Sequence, residues 1–505
     1  MLLKAGSTCW RTARAGRASA IVDMDGYFAA AKSAMRKARR SIHFLNWAFD
    51  PDTAFHPKTG GATEEEDRIG PFLKRLACDN PELDVRILCW KSALPVAATQ
   101  RYFTLRARMS FHGTPVKLVL DGRLPRGACH HQKMIVIDDT VAFCGSGDIG
   151  PDRWDTPHHL DNDPRREKTP SDNKCFDSRH EVMSVLDGDA ARTLGELFRE
   201  RWLRATGEAL APAGPPVSDP WPPEVPVDFN DVAVGISRTQ ARWRRWPEMR
   251  DNEALYLASF AAAKRCIYLE NQYFTSPIMA EALAARLSEP EGPEVILVST
   301  QHSPSYFDQM TMDRTRSMFV KRLRAADGHA RLRVYSPVTS LGRTVIVHAK
   351  LAIIDDRLLR IGSCNMNNRS SGFDTELDIS LEAGGPADPA RARIRALRIH
   401  LIAHWLGCSE ELVETTLAQE GSCGRAIEAL RGSGHCRLRP IQPQALGPLA
   451  SFIAAFHLGD PISPGDDFRP WKRRRQLDSE LAKVVERLRQ ARLETPIEEL
   501  SDQTI

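Results

Sequence analysis

The stretch HHQKMIVIDD (residues 130–139) places polar side chains in a run that otherwise has the character of a buried strand. His131, Lys133 and Asp138 follow the spacing H-x-K-x-x-x-x-D, and the residues between the lysine and the aspartate are apolar. Alternate residues of an extended chain point to the same side, so His131 and Lys133 are expected to share a face. The stretch therefore predicts a strand that holds an imidazole and an ammonium group toward one site.

A second stretch, VHAKLAIIDD (347–356), repeats the spacing with His348, Lys350 and Asp355. Each copy is followed at the same offset by a glycine, a serine and a short polar residue: Gly145, Ser146 and Asp148 in the first, and Gly362, Ser363 and Asn365 in the second. A single match to this spacing arises by chance in roughly one protein in twenty of this length, given average residue usage. Two copies with the same surroundings indicate function.

Strand-like and helix-like segments alternate, among them the predicted strands SIHFLNWAF (41–49) and LDVRILCW (83–90) and the predicted helix DAARTLGELFRERWLRA (189–205). This alternation predicts an α/β fold with a sheet covered on its faces. The segment ARRSIHFLNWAF (38–49) also matches AKRCIYLENQYF (263–274) at a constant offset. These repeats predict an internal duplication. We expect two similar α/β-sheet halves, related by a pseudo-two-fold axis, with the chemistry where they meet.

Composition shifts divide the chain into four parts. Residues 1–210 are expected to form the first half and residues 231–411 the second. The proline-rich stretch 211–230 between them is typical of a linker, although a long surface loop within one domain fits as well. Residues 412–505 are expected to form a C-terminal helical extension that packs on the body.

The 505-residue chain is 42% hydrophobic and 27% charged, as is typical of globular proteins, and its formal net charge is only +4. This charge does not favour nucleic acid as a partner, although a local basic surface for anionic lipid remains compatible with it. Eleven scattered cysteines indicate reduced thiols. No signal peptide or membrane-spanning run is predicted.

Two histidine–lysine pairs that face each other suit chemistry at a phosphate. The ammonium groups attract its negative charge, and nearby small polar side chains can donate hydrogen bonds. One imidazole can attack phosphorus while the other protonates the leaving oxygen. The candidate substrate-binding residues beside the motifs are Ser146, Asp148, Ser363 and Asn365. The motif aspartates Asp138 and Asp355 complete the candidate catalytic set, where a structural role as anchors is expected.

Each imidazole also needs a carboxylate to orient it. Glu181, in RHEVMSVLDG, is the candidate for His131, and Glu376, in FDTELDI, is the candidate for His348. Histidine, cysteine and carboxylate positions show no convincing metal-ligand spacing. The sequence therefore predicts neither a metal nor a cofactor.

The sequence resembles the phospholipase D superfamily, and in particular its phosphatidylcholine-cleaving, eukaryotic-like branch in a short bacterial form. Five segments carry the resemblance: HHQKMIVID (130–138), GSGDIGPDRWDTPHH (145–159), HEVMSVLDG (180–188), IYLENQYF (267–274) and IGSCNMNNRSSGFDTELDI (361–379). The resemblance implies that His131 is the nucleophile and His348 the general acid/base. It also supports Glu181 and Glu376 as the orienting acids, and it implies that Asn271 and Gln272 are substrate-binding residues. The insertion 160–178 departs from the family pattern.

This resemblance implies a phospholipase D that releases phosphatidic acid through a phosphohistidine intermediate, or that transfers the phosphatidyl group to an alcohol. A phosphatidyltransferase of the cardiolipin synthase type and a superfamily nuclease or phosphodiesterase are the alternatives, and a catalytically silent binding protein is a further one. The expected partners are a phospholipid membrane surface and water or a small alcohol as acceptor, without nucleic acid, for a monomer. We expect a cytoplasmic protein peripheral to the membrane, although an exported effector would have the same sequence features.

Overall fold

The computed structural model describes residues 1–58, 64–92, 103–166, 175–303, 305, 308–432, 436–443, 447–466 and 469–493. Up to residue 206 the strands are β1 (Arg11–Val22), β2 (Ser41–Asn46), β3 (Asp84–Trp90), β4 (Lys117–Asp121), β5 (Met134–Ile137), β6 (Val141–Gly145), β7 (Arg179–His180) and β8 (Val182–Asp187). The helices are α1 (Met24–Arg36), α2 (Ile69–Asp79), α3 (Phe103–Phe111) and α4 (Gly188–Thr206), with a 3-10 turn at Glu65–Asp67.

From residue 229 onward the strands are β9 (Phe229–Gln240), β10 (Met249–Arg250), β11 (Cys266–Asn271), β12 (Glu294–Val298), β13 (Leu332–Pro337), β14 (Ile346–Val347), β15 (Lys350–Ile354), β16 (Leu358–Gly362), β17 (Glu376–Glu382) and β18 (Leu438–Pro440). The helices are α5 (Asp251–Ala262), α6 (Pro277–Leu287), α7 (Arg314–Ala326), α8 (Asn368–Gly372), α9 (Pro389–Leu406), α10 (Glu410–Glu420), α11 (Cys423–Arg431), α12 (Pro448–Ala455) and α13 (Pro470–Leu493). A π-helical turn at Gln309–Asp313 precedes α7.

One mixed sheet runs through the molecule in the order β18-β13-β12-β11-β15-β16-β17-β9-β1-β8-β6-β5-β2-β3-β4, with β10 added beside β9. Strands β1 and β9 pair antiparallel at its centre. Reading outward from that pair, the order 1-8-6-5-2-3-4 on one side matches 9-17-16-15-11-12-13 on the other, which supports the predicted duplication. The mixed α/β fold expected from the alternating segments is confirmed, and its apolar core lies between the sheet and the helices.

The two hairpin turns that close the motifs have the same geometry. Residues 138–140 connect β5 to β6, and residues 355–357 connect β15 to β16. The first two residues of each connection are aspartates with φ between 51° and 54°, a left-handed backbone that tight hairpin turns use and that aspartate tolerates. The first aspartate of each turn accepts hydrogen bonds from three successive backbone N–H groups, at residues 39–41 and at residues 264–266. Both carboxylates therefore anchor a hairpin.

The substitution Asp138→Asn is expected to destabilise the protein by about 1–3 kcal/mol, because the amide nitrogen then faces one of the three backbone N–H donors. Chemical denaturation measures the change. Asp231→Asn is the matched control, because Asp231 also has a positive φ (49°) but an exposed side chain that pairs with the exposed Arg14. Equal losses of stability in the two variants would contradict the anchoring role.

The proline-rich stretch has no helix or strand before its last two residues, since α4 ends at Thr206 and β9 begins at Phe229. It is nevertheless held against the first half. Trp221 is buried, and its carbonyl accepts a hydrogen bond of 2.7 Å from Lys37, which directly follows α1. Ser218 donates to the carbonyl of Lys37 at 3.1 Å. The segment combines the irregular backbone expected of a linker with fixed contacts to one side.

Helix α13 packs on the body, as expected for the C-terminal region. Its Leu477 and Val484 are buried against Ile278 of α6 and Ile462. Residues 494–505 of the predicted extension lie outside the described part of the chain. Within the described part, every helix is too short or too polar to cross a lipid bilayer.

Candidate active site

The two motif copies meet where each half contacts the other. The segment entering His348 runs parallel to β7, and the backbone N–H of His348 donates to the carbonyl of His180 at 2.8 Å. In the equivalent contact, the N–H of His131 donates to the carbonyl of Thr375 at 2.9 Å. Each motif histidine therefore lies beside the residue that directly precedes the acid of the opposite half.

As a result, the histidine of each half pairs with the acid of the other half. Nδ1 of His131 lies 2.9 Å from a carboxylate oxygen of Glu376, and Nδ1 of His348 lies 2.9 Å from Glu181. The predicted pairing, Glu181 with His131 and Glu376 with His348, is wrong. The motif histidine of each half contacts the opposite half through its backbone. Each imidazole is therefore next to the acid of the opposite half and not to the acid of its own half. Both predicted acids are nevertheless in the site, fully buried.

The hydrogen bonds fix the tautomer of His131. Its Nδ1 contacts a carboxylate oxygen of Glu376 and, at 3.1 Å, the carbonyl oxygen of Ser363. Both are acceptors, so Nδ1 carries the proton and Nε2 keeps its lone pair. His348 is held in the same way by Glu181. The side chains are 14% exposed in His131 and 7% in His348, so both imidazoles lie close to the surface with little of it exposed.

Glu376 is surrounded by donors. Ser363 donates to one of its oxygens at 2.5 Å, and Ser370 donates to the other at 2.6 Å. Burial raises the pKa of Glu376 to about 8, and the two serine hydrogen bonds oppose this rise. The N–H of His131 is a third donor, and these hydrogen bonds favour the ionised carboxylate against the burial that raises its pKa.

The two lysines are almost completely buried but differ in their neighbours. Nζ of Lys133 lies 3.2 Å from Asp148, whereas Nζ of Lys350 donates to the neutral side chain of Gln272 at 3.1 Å. Asn365 occupies the position in the second half that corresponds to Asp148. Burial lowers the pKa of Lys350 to about 7, and the charge of Lys133 contributes in the same direction. The site therefore holds one lysine that is paired with a carboxylate and one lysine whose pKa lies near neutral pH.

Both histidines are poised in the neutral form. Burial lowers the pKa of His131 well below its usual value, and the charges of Lys133 and Lys350 lower it further. Burial and the charge of Lys350 do the same for His348. A neutral imidazole whose Nε2 is free is the form that a nucleophile or a general base requires.

The substitution Lys350→Arg is expected to remove the alkaline fall of kcat/KM. Lys350 with a pKa of about 7 is charged below pH 7 and neutral above it, so the wild-type site loses attraction for a phosphodiester as the pH rises. Arginine stays charged at every accessible pH. The pH profile of kcat/KM checks this, with Lys133→Arg as the matched control that keeps the fall. An unchanged alkaline limb in the Lys350→Arg enzyme would contradict the assignment.

Most of the other predicted site residues form hydrogen bonds within the protein that stabilise the walls of the site. The hydroxyl proton of Ser146 goes to the carbonyl of Val182, and that of Ser363 goes to Glu376, so neither is left to donate to a phosphate, contrary to expectation. The amide oxygen of Asn271 accepts from two backbone N–H groups. Asp148 accepts from the N–H groups at residues 47 and 48 besides binding Lys133. These side chains hold the walls of the site in place.

The amide oxygen of Asn365 is the exception, since it is buried with no hydrogen-bond partner among the described residues. Gln272 is half-buried and contacts Lys350 directly. Among the predicted binding residues, Gln272 thus places its amide oxygen at Lys350, and Asn365 has an amide oxygen without a partner among the described residues. Their contact with substrate remains a prediction.

Three side chains of the site were missed by the sequence reading. Arg179 is buried and Arg153 is half-buried, and the charges of both lower the pKa of His348. Ser370 supports Glu376. Arg153 lies within GSGDIGPDRWDTPHH (145–159), and Arg179 directly precedes HEVMSVLDG (180–188). Their position in or beside these motif segments is the sequence signal that could have identified them. They raise the positive potential available to a phosphate.

The geometry defines a class of site: two imidazoles, each oriented by a carboxylate at Nδ1 and with no Nε2 partner among the described residues, together with two buried lysines. Such a site can form and break a bond to phosphorus with a paired nucleophile and acid. The family model described as "Cardiolipin synthase, PLD-like domain" matches residues 256–396. This match, over less than half of the chain, supports placement in the phospholipase D superfamily.

The relatives point to the same superfamily at low identity. "Phospholipase D A" of Dictyostelium discoideum is 24% identical over 69% of this chain and 31% of its own length. "Phospholipase D2" of Bos taurus is 22% identical, over 71% of this chain and 48% of its own. "Cardiolipin synthase" of Halalkalibacterium halodurans is 27% identical, over 50% and 42%. The chain thus spans less than half the length of each of these relatives.

A solved structure shares the fold. Phosphatidylserine synthase of Haemophilus influenzae Rd KW20 superposes with a TM-score of 0.54 at 14% identity, covering 82% of this chain and 95% of that one. At this identity the likeness concerns the fold alone.

Proposed function

We propose that the protein is a phospholipase D, which hydrolyses glycerophospholipids to phosphatidic acid and a head-group alcohol. The observation that carries the proposal is the crossed pair of carboxylate–imidazole contacts above buried lysines. This arrangement supplies a nucleophile, a separate acid and positive charge for one phosphodiester. The curated relatives named phospholipase D support the choice of lipid.

The first step is attack by Nε2 of His131 on phosphorus. The bond between phosphorus and the head-group oxygen breaks, and His348 gives that oxygen a proton, so the head group leaves as an alcohol. The anionic phosphate offsets the charges of Lys133 and Lys350, which favours the protonated form of His348 before this step. The product is a phosphatidyl group joined to His131 by a P–N bond.

The second step releases the lipid. His348, now neutral, takes a proton from water, and the oxygen attacks phosphorus as the P–N bond breaks. Phosphatidic acid leaves and His131 recovers its lone pair. A small alcohol in place of water yields the transferred phosphatidyl alcohol instead. No step of this scheme requires a metal or a cofactor at the reacting centre.

Peripheral attachment to a membrane fits two exposed leucines on joined loops. Leu160 is 48% exposed and Leu341 is 68% exposed. Asp161 connects the loops, because it accepts hydrogen bonds from Thr339 and from the backbone N–H of Leu341. The second loop leads directly into His348. Of the predicted insertion 160–178, residues 167–174 lie outside the described part of the chain.

The second candidate is a phosphatidyltransferase of the cardiolipin synthase type. The match of residues 256–396 to the family model of that description favours it, as do the relatives named cardiolipin synthase. Its chemistry at phosphorus is the same, and a lipid alcohol replaces water in the second step. The two functions differ only in acceptor, so a product assay separates them.

The test uses purified protein with vesicles of mixed phospholipids, including phosphatidylglycerol, in the presence and absence of ethanol and of EDTA. We expect phosphatidic acid without ethanol, and both phosphatidic acid and phosphatidylethanol with it, because both arise from one phosphatidyl-enzyme. Cardiolipin as the main product would establish the transferase instead. No turnover of any lipid by the folded protein, with or without EDTA, would overturn both assignments.

A further inference from the structure

Four side chains behind the active site form a compact group of metal-ligand type. Asp23, His159, His180 and His404 each offer one ligand atom, and these four atoms lie within 4.8 Å of one another. The first three residues are at most 1% exposed. They come from the start of α1, the loop after β6, strand β7 and helix α9. The proposed reaction uses none of the four.

The spacing of the ligand atoms is that of a tetrahedral site. Nδ1 of His180 lies 3.0 Å from one oxygen of Asp23, and Nε2 of His159 lies 3.7 Å from the other. The Nε2 atoms of His159 and His404 are 3.2 Å apart. Bonds of about 2.0–2.1 Å from a central zinc ion place neighbouring ligand atoms about 3.3–3.4 Å apart. Small shifts of these side chains therefore suffice to enclose an ion.

Two of the imidazoles are oriented as metal ligands are. Nδ1 of His159 contacts Asp155 at 2.9 Å, and Nε2 of His180 contacts Glu270 at 2.8 Å. Glu270 is itself held by Tyr268 and Trp405 at 2.6 and 2.7 Å. Carboxylates behind ligating histidines fix the tautomer, so that the other ring nitrogen presents its lone pair. In both residues that other nitrogen is the one that faces the group.

An unengaged carboxylate oxygen points to a missing ligand. Oδ2 of Asp23 is buried and has no hydrogen-bond partner among the described residues. Asp23 also has a positive φ of 66°, a strained backbone for a residue that is not glycine. A buried carboxylate oxygen without a donor costs free energy unless a cation or another partner compensates it.

We propose that Asp23, His159, His180 and His404 bind a structural zinc ion that ties four separate segments together. Three imidazoles and one carboxylate suit zinc, and four protein ligands leave no open position for chemistry. The ion also supports the active site. Asp23 accepts a hydrogen bond from the backbone N–H of Glu181 at 3.2 Å and donates its own N–H to the carbonyl of Glu181 at 2.9 Å. Zinc is thus a positioning element for the acid that orients His348.

The test is metal analysis of the full chain, produced without a histidine tag in zinc-supplemented medium and dialysed against metal-free buffer. We expect about one zinc ion per chain in the wild type and in His400→Gln, and a loss of at least tenfold in His404→Gln. His400 is the matched control, because it lies one turn earlier on α9 with an exposed side chain paired to Glu410. Wild-type protein without zinc, or equal zinc in both variants, would overturn the proposal.

A second measurement does not depend on whether a variant folds. Wild-type protein freed of metal by a strong chelator is refilled with Co²⁺, and its visible spectrum is recorded. Intense d–d bands of tetrahedral cobalt, together with a melting temperature that falls on chelation and recovers with Zn²⁺, are the expected result. A weak octahedral spectrum and an unchanged melting temperature would show that the cluster is a hydrogen-bonded network of histidines without a metal. Neither readout requires a lipid substrate, so the outcome is independent of the proposed activity.

Discussion

Replacement of His131 by alanine is expected to lower phosphodiester turnover by at least about 10⁴-fold, because the variant lacks the atom that attacks phosphorus. Binding of the protein to lipid vesicles should remain within about twofold of wild type, since the buried lysines and the exposed leucines are untouched. Turnover is measured from release of head group, and binding by vesicle sedimentation. Wild-type rates of lipid hydrolysis in this variant would refute the mechanism.

The variant His348→Asn separates the roles of the two histidines. It keeps the nucleophile but lacks the base that activates water, so the phosphatidyl group should accumulate on His131 with a substrate that has a good leaving group. Rapid quenching followed by peptide mass spectrometry detects the adduct. If the adduct formed in His131→Ala and not in His348→Asn, the assignment of nucleophile and acid/base would be reversed.

The substitution Glu376→Gln is expected to lower kcat by about 10²–10⁴-fold, because a neutral amide stabilises neither the tautomer nor the charged form of His131. The effect should fall on formation of the phosphohistidine, which is the step that His131 performs as nucleophile. Glu181→Gln should instead slow the proton transfers of His348. Rates of burst and steady-state product release distinguish the two steps.

A double-mutant cycle tests the crossed pairing itself. His131→Ala and Glu376→Gln should be strongly non-additive, because the acid acts only through the imidazole that it contacts. His131→Ala and Glu181→Gln, which do not share a contact, should show a smaller coupling. The reverse order of coupling energies would support the pairing expected from sequence order. Ser259→Ala serves as control, because its hydroxyl donates only to carbonyls within α5.

Local pattern predicted most of the regular elements. The segments SIHFLNWAF and LDVRILCW contain β2 and β3, and DAARTLGELFRERWLRA forms most of α4. The pattern of apolar residues identified these elements, because β2 and β3 are almost entirely buried and α4 buries one face. Strand β1, RTARAGRASAIV, was missed, since four of its first seven residues are arginine or glycine and its outer end is exposed. Its pairing with both β8 and β9 determines its conformation.

The sequence by itself determined the two His–Lys–Asp motifs, the acids Glu181 and Glu376, and the expectation of a two-part α/β fold, because each is written in contiguous residues. Only the tertiary structure decided which acid serves which histidine. The contact between His131 and Glu376 joins residues 245 apart, and that between His348 and Glu181 joins residues 167 apart. The cluster of Asp23, His159, His180 and His404 likewise has no spacing that a linear pattern can recognise. Long-range packing of one half against the other sets these distances, and local propensity carries no information about them.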